Sequence, residues 1–218
     1  VNGKVLPREP ELVAALRAAE PGLRGIVLGV NEKRGNVILG DSYRTLWGED
    51  FLMDTLCGLT FRLSVPSFYQ VNADQAEVLY GLALDYAALT GTETVLDLYC
   101  GIGTITLCLA RRARRVLGAE VVPQAIDDAR ENARRNGIKN AAFFCGDAAD
   151  LAARFAADGT HPDVVTVDPP RKGLALQVVD SIVQMAPRRV VYVSCDPATL
   201  ARDVKRFAGQ GYLVQKAA

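Results

Sequence analysis

Cys195 stands where an apolar run meets a helix start. Residues Arg189–Ser194 read as a buried strand, Asp196 suits an N-cap, and Pro197 suits the first helical position, where its missing N–H is no loss. A cysteine between a strand's carboxyl end and a helix's amide end lies in a field that favours a thiolate, the nucleophilic form of sulfur, although Asp196 opposes that effect. A second apolar strand, Asp163–Val167, runs into Asp168-Pro169-Pro170-Arg171. A carboxylate there is costly unless something engages it. A third strand, Thr94–Leu98, passes through Asp97-Leu98-Tyr99-Cys100-Gly101-Ile102-Gly103-Thr104 into a helix, and Gly101 and Gly103 let the backbone come close to a ligand. Glu120 closes the next strand about twenty residues beyond Asp97, the spacing at which an acid accepts hydrogen bonds from ribose hydroxyls. Asp147, after the strand Ala141–Cys145, can accept from an adenine amino group or cap the helix that follows; the two roles are compatible.

These residues need a scaffold that gathers strand ends. From Ser67 onward the pattern alternates: helices over Thr104–Arg112, Pro123–Asn136, Ala148–Ala157, Leu176–Met185 and Pro197–Ala208 separate strands over Thr94–Leu98, Arg115–Glu120, Ala141–Cys145, Asp163–Val167 and Arg188–Ser194. An earlier helix starts at Asn72, with Gln75 three residues on as in a capping box. Repeated βα units imply an α/β fold, a doubly wound parallel sheet covered on both faces. Ligands collect at the carboxyl ends of such strands, where Asp97, Glu120, Asp168 and Cys195 converge. Residues 1–66 read differently: a helix over Glu9–Glu20, then short strands over Gly25–Val30, Asn36–Leu39, Thr45–Trp47, Phe51–Met53 and Leu59–Leu63, with a hairpin loop at 31–35. This is a small α+β piece, giving domains of 1–66 and 67–218.

Composition narrows the function classes. The 218 residues are half hydrophobic, with 25 basic and 25 acidic side chains, so bulk charge demands no acidic partner. Five cysteines without C-x-x-C spacing and a single histidine argue against a disulfide framework and a zinc site, so no metal is expected, and a reducing, cytoplasmic setting fits. No run has membrane-spanning length. The cofactor follows from two details. A dinucleotide fingerprint needs Gly or Ala where Thr106 stands, and Asp97 precedes the loop where a pyrophosphate would lie. S-adenosylmethionine has a sulfonium and an amino acid tail but no phosphate, so Asp97 suits its cationic groups. Asp-Pro-Pro loops hold planar nitrogenous bases against this cofactor, and enzymes that methylate exocyclic amines follow the prolines with an aromatic residue. Here Arg171 follows, and Cys195 waits on a nearby strand. That combination fits carbon 5 of a pyrimidine, which becomes nucleophilic only after a thiolate adds at carbon 6.

Four ordered motifs carry a family resemblance: Ser67–Asn72 (SFYQVN), Asp97–Gly103 (DLYCGIG), Asp168–Gly173 (DPPRKG) and Val193–Asp203 (VSCDPATLARD). The chain resembles the bacterial RNA uridine-5-methyltransferases, which make 5-methyluridine in 23S ribosomal RNA and transfer RNA, over nearly its whole length. The resemblance implies a Rossmann-like class I methyltransferase domain at 67–218, truncated at its C-terminus, with 1–66 as part of a central RNA-facing domain. It implies that Gln70, Tyr99, Glu120 and Asp168 contact S-adenosylmethionine or the target uracil, and that Cys195 is the nucleophile. The full set of expected site residues is then Cys195 and Asp168 for catalysis, with Gln70, Asp97, Tyr99, Gly101, Gly103, Glu120, Asp147 and Asp168 around the cofactor. RNA is the expected partner, ribosomal before transfer RNA, acting on a monomer. Family members also begin with a small β-barrel, often carry an iron–sulfur cysteine cluster, and end with a strand pair whose Glu removes the carbon 5 proton; the sequence reads as a fragment without these parts. Alternatives are an RNA amine methyltransferase and a module that binds cofactor or RNA without turning over.

Overall fold

The computed structural model describes residues 5–32, 40 and 42–218. The expected strand Asn36–Leu39 and most of the loop at 31–35 lie outside the described residues. The chain begins with α1 (Glu9–Ala19), then β1 (Gly25–Val30) pairs antiparallel with β2 (Ser42–Gly48). A second antiparallel pair follows, β3 (Phe51–Leu56) and β4 (Leu59–Ser64). Its two-residue turn, Cys57-Gly58, has both φ angles positive (53° and 69°), the hand that matches strand twist in tight hairpins.

After α2 (Ala73–Ala87) comes the alternating series: β5 (Thr94–Leu98), α3 (Thr104–Ala110), β6 (Arg115–Glu120), α4 (Pro123–Arg135), β7 (Ala141–Cys145), α5 (Ala148–Ala157), β8 (Val164–Val167), α6 (Leu176–Met185), β9 (Arg189–Tyr192) and α7 (Pro197–Gly209). The five strands form one parallel sheet ordered β7-β6-β5-β8-β9. Side chains alternate between two cores. Val95, Val116, Val164 and Val191 pack under α2, α3 and α4, and Leu96, Leu98, Leu117, Val165 and Val167 pack under α5, α6 and α7. The chain winds outward from β5 in both directions, so β5 and β8 flank the point where strand order reverses, and the crevice of such a sheet opens there.

The β3–β4 hairpin is not a separate layer. Leu56, Leu59 and Phe61 are buried in the same core as Val95, Leu107 and Ile126, so packing runs through residue 66. The outer edge of β4 faces helix α4 rather than another strand. Asp128, Asn132 and Asn136 lie at i, i+4 and i+8 on one face of that helix. Asn136 accepts from Thr60 N at 2.9 Å and donates to Thr60 O at 2.7 Å; Asn132 accepts from Arg62 N at 2.6 Å and donates to Arg62 O at 3.2 Å. Asp128 accepts from Ser64 N and from the Arg62 guanidinium, the latter at 2.7 Å. Three side chains thus supply the hydrogen bonds that a neighbouring strand would have given, and no open edge remains there.

Two elements end earlier than their sequence pattern. Helix α3 stops at Ala110 because Asn140 Nδ2 takes the carbonyls of Ala110 and Ala113 and the chain tightens at Arg112. Strand β9 stops at Tyr192; Val193 N still reaches Val167 O at 2.9 Å, and then Ser194 Oγ accepts from Asp196 N and donates to Asp196 O, folding the chain into a turn.

Candidate active site

Asp97 faces α3 near the end of β5 and is 1% exposed. It is held by two hydroxyls: Thr106 donates to one oxygen at 2.5 Å and Thr166 to the other at 2.6 Å. Burial pushes its pKa up to about 6 against these bonds, and the neighbouring Asp168 and Glu120 carboxylates push the same way. Thr106, which counts against a dinucleotide in the sequence, is therefore one of the two residues that keep Asp97 in place.

Past Leu98 the backbone turns sharply. Tyr99 has φ 67°, a left-handed conformation that costs a bulky residue of order 1–3 kcal/mol and recurs at functional sites. Gly101 (φ 54°) faces open space, since a Cβ added there would meet nothing within 4 Å. Gly103 (φ 86°) is buried, and its Cβ position lies 3.3 Å from Ala129 and Phe143. Gly101 is thus the glycine a ligand can approach, while Gly103 lets α3 and α4 pack. Glu120 braces the turn from β6: one oxygen accepts from Gly101 N at 3.2 Å, the other from Val121 N and Val122 N at 2.8 and 3.0 Å.

The cleft at this strand end is lined by Gln70, Tyr80, Asp97, Tyr99, Gly101, Thr104 and Asp168, with Phe68 and Tyr69 above them. Tyr80 pairs with Thr104 through their hydroxyls at 3.2 Å. Asp168 is half-buried and makes no side-chain hydrogen bond to the described residues, so the partner expected for it is not found among them. Desolvation raises its pKa to about 6. The lining holds two carboxylates and neither Lys nor Arg. Such a cleft repels phosphate and attracts a cation.

Cys195 is not in that lining. It is exposed at the tip of the turn after β9, the strand that pairs with β8. The amide end of α7 serves Asp196, whose carboxylate accepts from Thr199 N at 2.9 Å and is thereby held below the usual aspartate range. The helix start therefore holds an anion beside the sulfur. Asp147 is exposed and caps α5 through Ala149 N at 2.8 Å, the capping role read from sequence. Among the described residues no His, Cys, Asp and Glu group could hold a metal ion, and no helix is long and apolar enough to cross a membrane.

Residues 47–218 match the family described as tRNA (uracil-5-)-methyltransferase. The chain belongs to that family. It is 50% identical over 211 residues to an uncharacterized RNA methyltransferase of Halalkalibacterium halodurans, and 52% identical over 209 residues to one of Lactiplantibacillus plantarum, covering 97% and 96% of this chain and 46% of each relative. This chain therefore spans about half the length of these curated relatives. Among solved structures, the tRNA (uracil-54, C5)-methyltransferase of Pyrococcus abyssi in complex with S-adenosyl-L-homocysteine superposes with a TM-score of 0.73 at 32% identity, over 87% of this chain and 46% of that one. The sheet and flanking helices are the Rossmann-like methyltransferase fold expected from the sequence, a likeness that extends to the P. abyssi Trm5b structure at TM-score 0.60 and 15% identity.

Within this uracil-5-methyltransferase family member, one cluster escapes a reading of sequence. Asp203 on α7 is fully buried and gathers Leu174 N, Tyr192 Oη and the guanidinium groups of Arg202 and Arg206. Its position in the Val193–Asp203 motif was the available signal; the partners come from three separate elements.

Proposed function

We propose that this chain carries the catalytic unit of an S-adenosylmethionine-dependent RNA methyltransferase that forms 5-methyluridine, with 23S ribosomal RNA as the first substrate to test and transfer RNA as the second. The observation that carries the proposal is the placement of Asp168, a carboxylate with no side-chain hydrogen bond among the described residues, and Cys195 beyond the ends of two neighbouring strands. In this reading residues 1–66 belong to an RNA-facing part and 67–218 to the methyltransferase domain, into whose core the β3–β4 hairpin packs.

The cleft fits S-adenosylmethionine. Asp97 and Asp168 supply negative charge without a competing cation, Gly101 leaves room for close approach, and Glu120 keeps lone pairs for ribose hydroxyls. Gln70 and Tyr99 would hold the amino acid end and the adenosine, and Asp147 the adenine amino group. When bound, the cofactor supplies an electrophilic methyl group. Asp168 orients the uracil, accepting from its N–H. The Cys195 thiolate forms a bond to carbon 6, and the electron pair of the 5,6 double bond moves onto the ring, making carbon 5 the nucleophile. After carbon 5 is methylated, loss of its proton to a base returns the electron pair and expels the thiolate. The base must leave its stack to reach these strand ends, so looped or single-stranded RNA is the expected substrate.

The test uses 5-fluorouridine-containing RNA with S-adenosylmethionine and the full-length protein. Fluorine cannot leave as a proton, so a methylated covalent complex should accumulate on a denaturing gel and disappear in Cys195→Ala. An adduct that persists in Cys195→Ala, or maps to another cysteine, refutes the nucleophile. Methylation of an exocyclic amine without any adduct refutes the reaction class.

A further inference from the structure

Asp168 and Cys195 leave the sheet on different loops, and no hydrogen bond joins them directly. Their relative position depends on what ties the Pro170–Leu174 loop to the turn after β9. That tie is Asp203. Its carboxylate Oδ2 accepts from Leu174 N at 2.8 Å, at the end of the loop that follows Asp168. The same oxygen accepts from Tyr192 Oη at 2.9 Å, on the last residue of β9 before the Cys195 turn. Arg202 donates to Asp203 Oδ1 at 2.9 Å and to Lys172 O at 2.8 Å; Arg206 donates to Asp203 Oδ1 and Leu174 O, both at 3.1 Å. Burial alone would raise the Asp203 carboxyl, but Arg202, the Leu174 amide and the Tyr192 hydroxyl together hold it below the usual range. The loop can come this close only because Gly173 lacks a side chain: a Cβ there would lie 2.5 Å from both Asp203 Oδ2 and Arg202 Nη2, at a φ of 71°.

We infer that Asp203, with Tyr192 and Arg202, is a positioning device that sets the Asp168 loop against the Cys195 turn. This rests on the proposed reaction. It places a fully buried carboxylate under two partly exposed guanidinium groups where folding alone needs an apolar contact, since an ion pair with a buried member adds little stability over well-packed hydrophobic side chains. It also assigns the cluster to the covalent step and leaves cofactor binding to other residues, because Asp203 and its partners lie outside the cleft lining.

Two conservative variants of the full-length protein separate positioning from support. Tyr192→Phe removes one hydrogen bond, and Asp203→Asn keeps an acceptor while losing the charge that aligns both arginines. For folded variants, judged by circular dichroism at the assay temperature, kcat for RNA methylation and the rate of adduct formation on 5-fluorouridine RNA should fall about 10-fold in Tyr192→Phe and about 100-fold in Asp203→Asn, the scale of a misplacement of about 1 Å. S-adenosylhomocysteine affinity by calorimetry, and KM for the cofactor, should stay within about two-fold, since uniform binding is untouched. Unchanged kcat in both folded variants overturns the inference, as does a parallel loss of kcat and cofactor affinity. A wild-type protein that methylates neither RNA at uracil removes the proposed reaction itself, and this inference with it, which a defect confined to the variants does not.

Discussion

Replacing Asp168 with asparagine should stabilise the ligand-free protein while stopping methyl transfer. The carboxyl has no hydrogen-bond donor among the described residues and titrates at about 6 in the fold, against 3.8 ordinarily. At about 1.4 kcal/mol for each factor of ten in proton affinity, ionising Asp168 costs about 3 kcal/mol more in the folded chain than in the unfolded one. The sign follows from which state keeps the proton. Between roughly pH 4 and pH 6 the folded chain holds a proton that the unfolded chain has released, so wild-type stability falls as pH rises through that window, and the deficit is complete above it. An amide does not ionise, so Asp168→Asn escapes this loss. Desolvating the amide trims the gain, whereas relief of Asp97 from a like-charged neighbour adds to it. The net expectation is a gain of about 2–3 kcal/mol at pH 7.5, vanishing below about pH 4. Urea unfolding at several pH values reads it directly: with a slope of about 3 kcal/mol/M the midpoint should rise by about 0.7–1 M at pH 7.5. Methylation by the same variant should fall at least about 100-fold, as when a site loses a group aimed at its reacting partner. A midpoint no higher than wild type at pH 7.5, or a gain equal at every pH, would refute the view of Asp168 as an unpartnered ion awaiting a ligand.

Thr106→Val removes the 2.5 Å donor to buried Asp97 and should cost about 1–3 kcal/mol, seen as a calorimetric Tm lower by several degrees. Asn132→Ala strands Arg62 N and the carbonyls of Arg62 and Ile102 and should lose about 3 kcal/mol in urea unfolding, clearly more than Asn136→Ala, whose bonds to Thr60 lie at an exposed site. A larger loss from Asn136→Ala would mean that burial does not rank these bonds. Glu120→Ala frees the amides of Gly101, Val121 and Val122 and removes the proposed ribose acceptor, so calorimetry should show S-adenosylhomocysteine binding weakened at least about 10-fold; equal affinity would take Glu120 out of the site.

Local signals read well where the chain's own chemistry decides the outcome. Asn72 accepts from Gln75 N, Asp196 caps α7 ahead of Pro197, and Gly137 follows the end of α4, as their residue types imply. The strand-end residues were legible for the same reason, because βα alternation fixes which end of each strand faces the crevice. What sequence could not give were partners supplied by distant elements. Thr166 and Thr106 converge on Asp97 from β8 and α3. The hairpin's burial depended on α4 presenting amide side chains at helical spacing, which reads in isolation as an ordinary polar face. The residue types around Cys195 imply a thiol facing helix amides, but Asp196 takes the free amide of Thr199 and the turn at Ser194 lifts the cysteine to the surface.

The amide ladder on α4 also decides where this protein can be cut and joined. A chain started at residue 67, the point suggested by composition, would uncover the apolar partners of Leu56, Leu59 and Phe61. It would also take the Arg62 guanidinium and the Ser64 amide away from Asp128. The Ser67 hydroxyl, bonded to Asp128 at 3.0 Å and to the Ser64 hydroxyl at 2.9 Å, tethers the segment that brings Gln70 to the cleft, and the cut would remove the Ser64 half of that tether. Chimeras that exchange the residues ahead of the hairpin for another module must therefore place their junction ahead of Phe51, so that the hairpin travels with the parallel sheet and only the exposed β2–β3 connection is rebuilt.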